Sequence, residues 1–353
     1  MSNNPYSKLA PIAFWKTGVA QASPFQMIDI YKKRFLIDAD AKIAAAGSCF
    51  AQHISKHLRA YGYHVLDVEP PPPGLPEEKH KTFGFSTYSA RYGNIYTARQ
   101  LLQLAKEALG EWTPQDYVWE KNSKFYDGLR PAVEPEGHNS REAVIEHRQY
   151  HLEKTRDLFK RLDILVFTLG LTEMWVHAKS GTVFPTAPGT VAGRFDPDTI
   201  KFENATCSDV VKDFNKFQQV LLQLRNGRPF KVILTVSPIP LTATGSGKHV
   251  LEATSYSKST LRAAAGELVF AHQHIDYFPS YEIITNPRFH SISYHENLRT
   301  VREEAVSAVM SHFFAEHQSI AEPKATIPND SANHNSKNAS LQCEEALLEA
   351  FAS

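Results

Sequence analysis

Lys42-Ile43-Ala44-Ala45-Ala46-Gly47-Ser48-Cys49-Phe50-Ala51-Gln52-His53-Ile54 is the stretch on which the fold turns. Residues 42–46 make a short, apolar, β-like run. Gly47-Ser48 interrupts it, and an amphipathic helical spacing follows over 50–61, with Gly62 as its C-terminal stop. A strand that meets a helix through a Gly-Ser turn is a building unit of a parallel α/β sheet.

The rest of the chain repeats that alternation. Residues 63–68 read as a second strand, and Pro70 to Pro73 stop regular structure beyond it. Thr97 caps a helix over 98–109, and Ser140 caps a long one over 140–162. Residues 163–169 and 231–236 are continuous apolar runs, as expected of strands covered on both faces. Helices are expected over 208–225, 257–270 and 298–314, with a short strand over 274–278. The fold class is therefore α/β: an open, mostly parallel sheet with helices on both faces. Residues 1–40 read as an arm packed on the domain. The domain spans 41–321, with insertions near 110–138 and 177–206. Residues 322–353 are polar and low in aromatics, and read as a disordered tail with a short helix over 341–351.

Composition bounds the function. In 353 residues, Lys plus Arg equals Asp plus Glu at 38 each. This balance gives no pull toward nucleic acid or an anionic membrane surface. No apolar run is long enough for a membrane span. Three sparse cysteines and a start without a basic, then apolar segment point to a reducing, cytoplasmic setting. No Gly-x-Gly-x-x-Gly or phosphate loop occurs, so no nucleotide cofactor is expected. His53 and His57 are four apart on one helical face, a spacing that suits zinc, but no third ligand accompanies them, and no metal is expected. Trp112, Tyr117, Trp119 and Phe125 in the first insertion suit either a sugar-stacking surface or a small core beneath a loop. The sequence sets no oligomeric state.

Ser48 is the first candidate for chemistry. At a strand–helix junction it is either an N-cap or a nucleophile, because the unpaired N–H groups of a helix start favour developing negative charge. Cys49 is a rival nucleophile, or a small buried filler. Gly93-Asn94 is a turn or an amide-bearing loop. Glu173 follows a strand and serves either as an orienting group or as a solvated strand end.

Gly47 to Ala51 spells the motif of the GSCFA family. Arg91 to Thr97, Phe167 to Trp175, Thr235 to Pro238, Ser257 to Arg262 and Tyr277 to Glu282 resemble its further blocks, over residues 41–314 in all. The resemblance implies a flavodoxin-like fold related to the SGNH (GDSL-like) hydrolases, with Ser48 as nucleophile. It implies an oxyanion site from the Ser48 N–H with Gly93 and Asn94. The third block of SGNH enzymes reads Gly-x-Asn-Asp. Here it is Gly170-Leu171-Thr172-Glu173, with Thr172 in the asparagine position. The usual Asp-x-x-His before the last helix is absent. His295 lies near its place, and His249 follows the Ser-Pro block. Glu173 or Glu282 would orient the histidine. The implied activity is a serine-dependent esterase or O-acyltransferase acting on an acylated glycan or similar small ester. The alternative is a non-catalytic glycan- or protein-binding module on the same fold.

Overall fold

A computed structural model describes residues 4–23, 27, 29–317 and 344–352. At its centre is a four-stranded parallel sheet in the order β1-β4-β8-β9, formed by Ile43–Gly47, Ile164–Leu169, Lys231–Val236 and Ile275–Tyr277. Val65 adds a parallel bridge to Ile43 on the outer side of β1. Counting that segment second, the order is the 2-1-3-4-5 of flavodoxin-like sheets, whose switch point lies between β1 and β4. Residues 63–68, expected as a full strand, hold β1 only through Ile43 N–H to His64 O and Leu66 N–H to Ile43 O.

Side chains of the strands alternate between two cores. Ala44, Ala46, Leu165, Phe167, Leu169, Val232 and Leu234 face a cluster built with α3 (Ala98–Leu109), α5 (Cys207–Leu224) and α6 (Val250–Ala271). Ile43, Ala45, Ile164, Val166 and Ile233 face the opposite cluster, with α1 (Phe50–Ala60), α7 (Ser280–Thr285) and α9 (Glu303–His317). This period of two, apolar on both sides, explains the unbroken hydrophobic runs. The fold is the α/β architecture expected.

Several elements differ from their expected bounds. The long helix α4 (Arg141–Arg161) is as read, with the Ser140 side chain accepting from Ala143 N–H. α6 starts seven residues early, at Val250, because His249 caps it. The last helix starts at Glu303 rather than 298, because Leu298 is held at φ +51° and Tyr294 pairs with Val301 ahead of the helix. The two insertions, and the segment that leads into the second, carry strands that the sequence reading did not assign. β2 and β3 (Val118–Lys121, Lys124–Asp127) form a hairpin. β5, β6 and β7 (Glu173–His177, Val183–Phe184, Ile200–Asn204) form a second antiparallel sheet. Trp119, Tyr126, Phe184 and Ile200 join them in one satellite core, with Tyr117 and Trp175 at its edge.

Short helices α2 (Glu77–His80) and α8 (His290–Ser293) complete the domain. From the arm, Tyr31 and Ile37 are buried in the second cluster. Of the tail, 318–343 lies outside the described residues, and Glu344–Phe351 is a 3-10 helix. No helix among the described residues is long and apolar enough to cross a membrane.

Candidate functional site

Ser48 lies just past the carboxyl end of β1, at the switch point, where open α/β sheets bind ligands. Gly47 delivers it with φ +139°, and a Cβ there would stand 2.5 Å from Thr168 O and 2.7 Å from Thr168 N. Only glycine combines that backbone with so close an approach. Ser48 N–H donates to Thr168 O (3.1 Å), and its carbonyl accepts from Ala51 N–H (2.8 Å). The backbone is thus fully engaged, with the N–H expected to face an oxyanion tied to β4 instead.

The side chain is different. Ser48 is 2% exposed, and its Oγ has no hydrogen-bond partner among the described residues. Nor is Ser48 the helix cap, because the cap position of α1 is Cys49, without a side-chain cap bond. A buried hydroxyl left unsatisfied costs stability, about 1–3 kcal/mol. Such groups in a folded chain call for a functional explanation.

The 93–97 segment crosses the ends of β1 and β4. Ile95 N–H donates to Gly47 O (2.9 Å), and Tyr96 O accepts from Gly170 N–H (2.9 Å) and Leu171 N–H (3.1 Å). Thr97 then opens α3 in a reciprocal capping box with Gln100. This crossing buries Asn94 to 3% exposure beside the serine. The Tyr88 hydroxyl links the two, lying 3.1 Å from Ser48 O and 2.5 Å from Asn94 Oδ1. Asn94 Nδ2 donates to Glu344 Oε2 (2.5 Å), and the Tyr96 hydroxyl donates to the same oxygen (2.9 Å). Gly170 fits between Ser48 and Tyr96. α6 fastens the loop after β4 through adjacent residues: Lys258 Nζ donates to Gly170 O (2.7 Å), and Ser257 Oγ accepts from Thr172 N–H (3.1 Å). Lys258 is 2% exposed.

Of the residues singled out in the sequence, Ser48 and Asn94 come together. Gly93, at φ +67°, turns the chain against Arg130 and Val133. Thr172 is buried, with Oγ1 unpartnered among the described residues. Glu173 anchors the following loop, accepting from the Thr244 hydroxyl (2.5 Å) and Gly245 N–H (3.1 Å). His249 sits exposed at the end of that loop, its Nδ1 accepting from Leu251 N–H (3.1 Å). His295 is exposed in the turn before α9, its N–H donating to Thr300 O (2.8 Å). No hydrogen bond joins either histidine to Ser48 among the described residues. Glu282 accepts from Tyr277 and Arg262, and no hydrogen bond joins it to either histidine among the described residues. His53 Nδ1 lies 3.3 Å from Glu303 Oε2 and ties α1 to α9, while His57 Nδ1–H donates to His53 O (2.9 Å) within α1.

Tyr88, Tyr96, Lys258 and Glu344 were not singled out. Tyr96 and Lys258 lie inside the quoted blocks, whose side chains were the available signal. Tyr88 and Glu344 had none.

A buried ionic layer lies next to Asn94. Asn94, Arg130, Arg148 and His151 line one cavity. Arg148 bridges Glu107 and Asp127, and Arg130 also holds Asp127 (2.8 Å). His151 Nδ1 lies 2.7 Å from Glu69 Oε2. Burial pushes the His151 imidazole down from 6.5 to about 4, so the neutral ring donates to the carboxylate.

A serine-bearing turn at the switch point of a flavodoxin-like sheet defines the class: an α/β protein with a buried serine beyond its strand ends. The chain belongs to the GSCFA family, whose model matches residues 42–313. No curated protein matches the chain.

Proposed function

We propose that the chain is a serine-dependent esterase or O-acyltransferase for an acylated glycan or similar small ester, acting through an acyl-Ser48 intermediate. The observation that carries this reading is the Ser48 hydroxyl, buried and unpartnered at the start of an eleven-residue helix. In this scheme Ser48 Oγ attacks the ester carbonyl carbon and yields its proton to a base. The tetrahedral oxyanion takes a hydrogen bond from Asn94 Nδ2 and the positive end of α1. The alcohol leaves with the proton. Water or an acceptor alcohol then attacks the acyl-serine, and the Ser48 Oγ–carbon bond breaks. The base is a histidine, His249 or His295, drawn in with substrate, since catalytic bonds commonly tighten only in the complex. The loop that Glu173 anchors carries His249. The sparse cysteines of the sequence, three in 353 residues, support a reducing, cytoplasmic setting.

A second reading, a non-catalytic glycan- or protein-binding module, is favoured by one observation: both histidines stand exposed, with no bond to Ser48. Fluorophosphonate treatment of the purified protein, followed by peptide mass spectrometry, decides between them. A single adduct on Ser48, absent from Ser48→Ala, is the expected result. Saturable ligand binding that Ser48→Ala leaves intact, without any adduct, establishes the module instead.

A further inference from the structure

Glu344 lies 250 positions beyond Asn94, yet its carboxylate enters the site. It is 1% exposed, while Asn94 and Tyr96, its two donors, are themselves at 3% and 2%. Both donors converge on one oxygen, Oε2, at 2.5 and 2.9 Å. Charge-assisted bonds of this kind are the strong ones, and they are what a buried carboxylate requires. Tyr96 touches the Gly170 position that abuts Ser48, and buried Lys258 adds a positive charge at Gly170 O. The cluster is therefore built to receive an anion.

The rest of the segment is differently placed. Leu347 is 47% and Phe351 68% exposed, so these two apolar side chains are not sunk with the carboxylate. The buried Glu344 carboxylate anchors a segment whose Leu347 and Phe351 side chains face outward, and terminal segments of this kind open locally at less cost than the core.

We infer that Asn94 and Tyr96 form a carboxylate-binding seat beside Ser48, and that Glu344 fills it as an intramolecular competitor for the acid part of the substrate or product. This deepens the esterase reading and rests on it, since the carboxylic acid is what ester hydrolysis leaves at such a seat. A tethered competitor acts at high effective concentration, so the free chain rests in the closed state and substrate opens it by mass action.

The test uses the full chain with Glu344→Ala and Glu344→Gln, the latter keeping the shape while removing the charge. Hydrogen exchange of the 344–351 amides is measured together with the rate of fluorophosphonate labelling. In the wild type those amides exchange slowly. In both variants protection falls at least tenfold, Ser48 labels at least tenfold faster, and added acetate slows the labelling of Glu344→Ala but not of the wild type. Equal exchange in all three proteins, or an unchanged rate of labelling, overturns the inference. Lost protection without labelling in any protein upholds the seat and removes Ser48 as the nucleophile, which separates the two failures.

Discussion

Gly170 and Ser48 meet with no room between them: a Cβ at Gly170 would stand 2.8 Å from Ser48 Cβ and 3.1 Å from Tyr96 Cδ1. A methyl group there must displace the serine or the tyrosine. Overpacking of this kind costs about 1–3 kcal/mol. Gly170→Ala is expected to lower the urea midpoint and to slow labelling at Ser48 together. A variant with an unchanged midpoint would show that the junction relaxes freely.

Ser48→Ala has the opposite expected sign for stability. The hydroxyl removed has no partner among the described residues, so its loss relieves an unmet polar group rather than breaking a bond. Thermal unfolding should be unchanged or shifted upward while labelling disappears. A fall of several degrees would mean that the hydroxyl is structural.

Asn94→Ala removes the donor assigned to the oxyanion. Loss of one such donor costs about 10²–10³ in kcat, with little change in KM. Turnover of a responsive ester by the variant, measured as both constants, checks this. A rise in KM alone would make Asn94 a substrate-holding group.

Stability should depend on pH through His151. Its folded value, about 4, lies below the ordinary 6.5. Between these values the unfolded chain binds the proton and the folded chain does not. The contribution is fully present above about pH 6.5 and is lost as pH falls toward 4, amounting to about 3 kcal/mol for this one group. Unfolding free energies from pH 7.5 to 4 should fall with a slope that His151→Gln flattens.

The central sheet was legible because its strands are buried on both faces. Continuous runs such as Ile164–Leu169 leave little else for the sequence to mean. The Ser48 junction was legible for the same reason, since Gly47 must end the strand. The strands of the insertions were not, because they are short, lie among Pro and Gly, and split their side chains between the main core (Met174, Val176, Val183) and a small satellite core around Trp119. The start of α9 was misplaced because Leu298 takes a left-handed backbone that a leucine gives no sign of. Asn94 could be picked out next to a Gly turn. Glu344 could not, since only the tertiary fold brings a carboxylate across 250 positions.

Tyr31 donates its buried hydroxyl to Asp276 Oδ2 (3.0 Å) and lies 2.8 Å from His317 Nε2, while stacking on Phe313. Its partners are separated from it by 245 and 286 positions. A ribosome makes the arm first and its resting place last. During synthesis Tyr31 and its apolar neighbours must wait unsheltered until α9 emerges, and contacts of such sequence separation close slowly. The growing chain therefore spends most of its synthesis with the apolar side chains of the arm uncovered, the interval in which chaperone capture or misassociation has its opening.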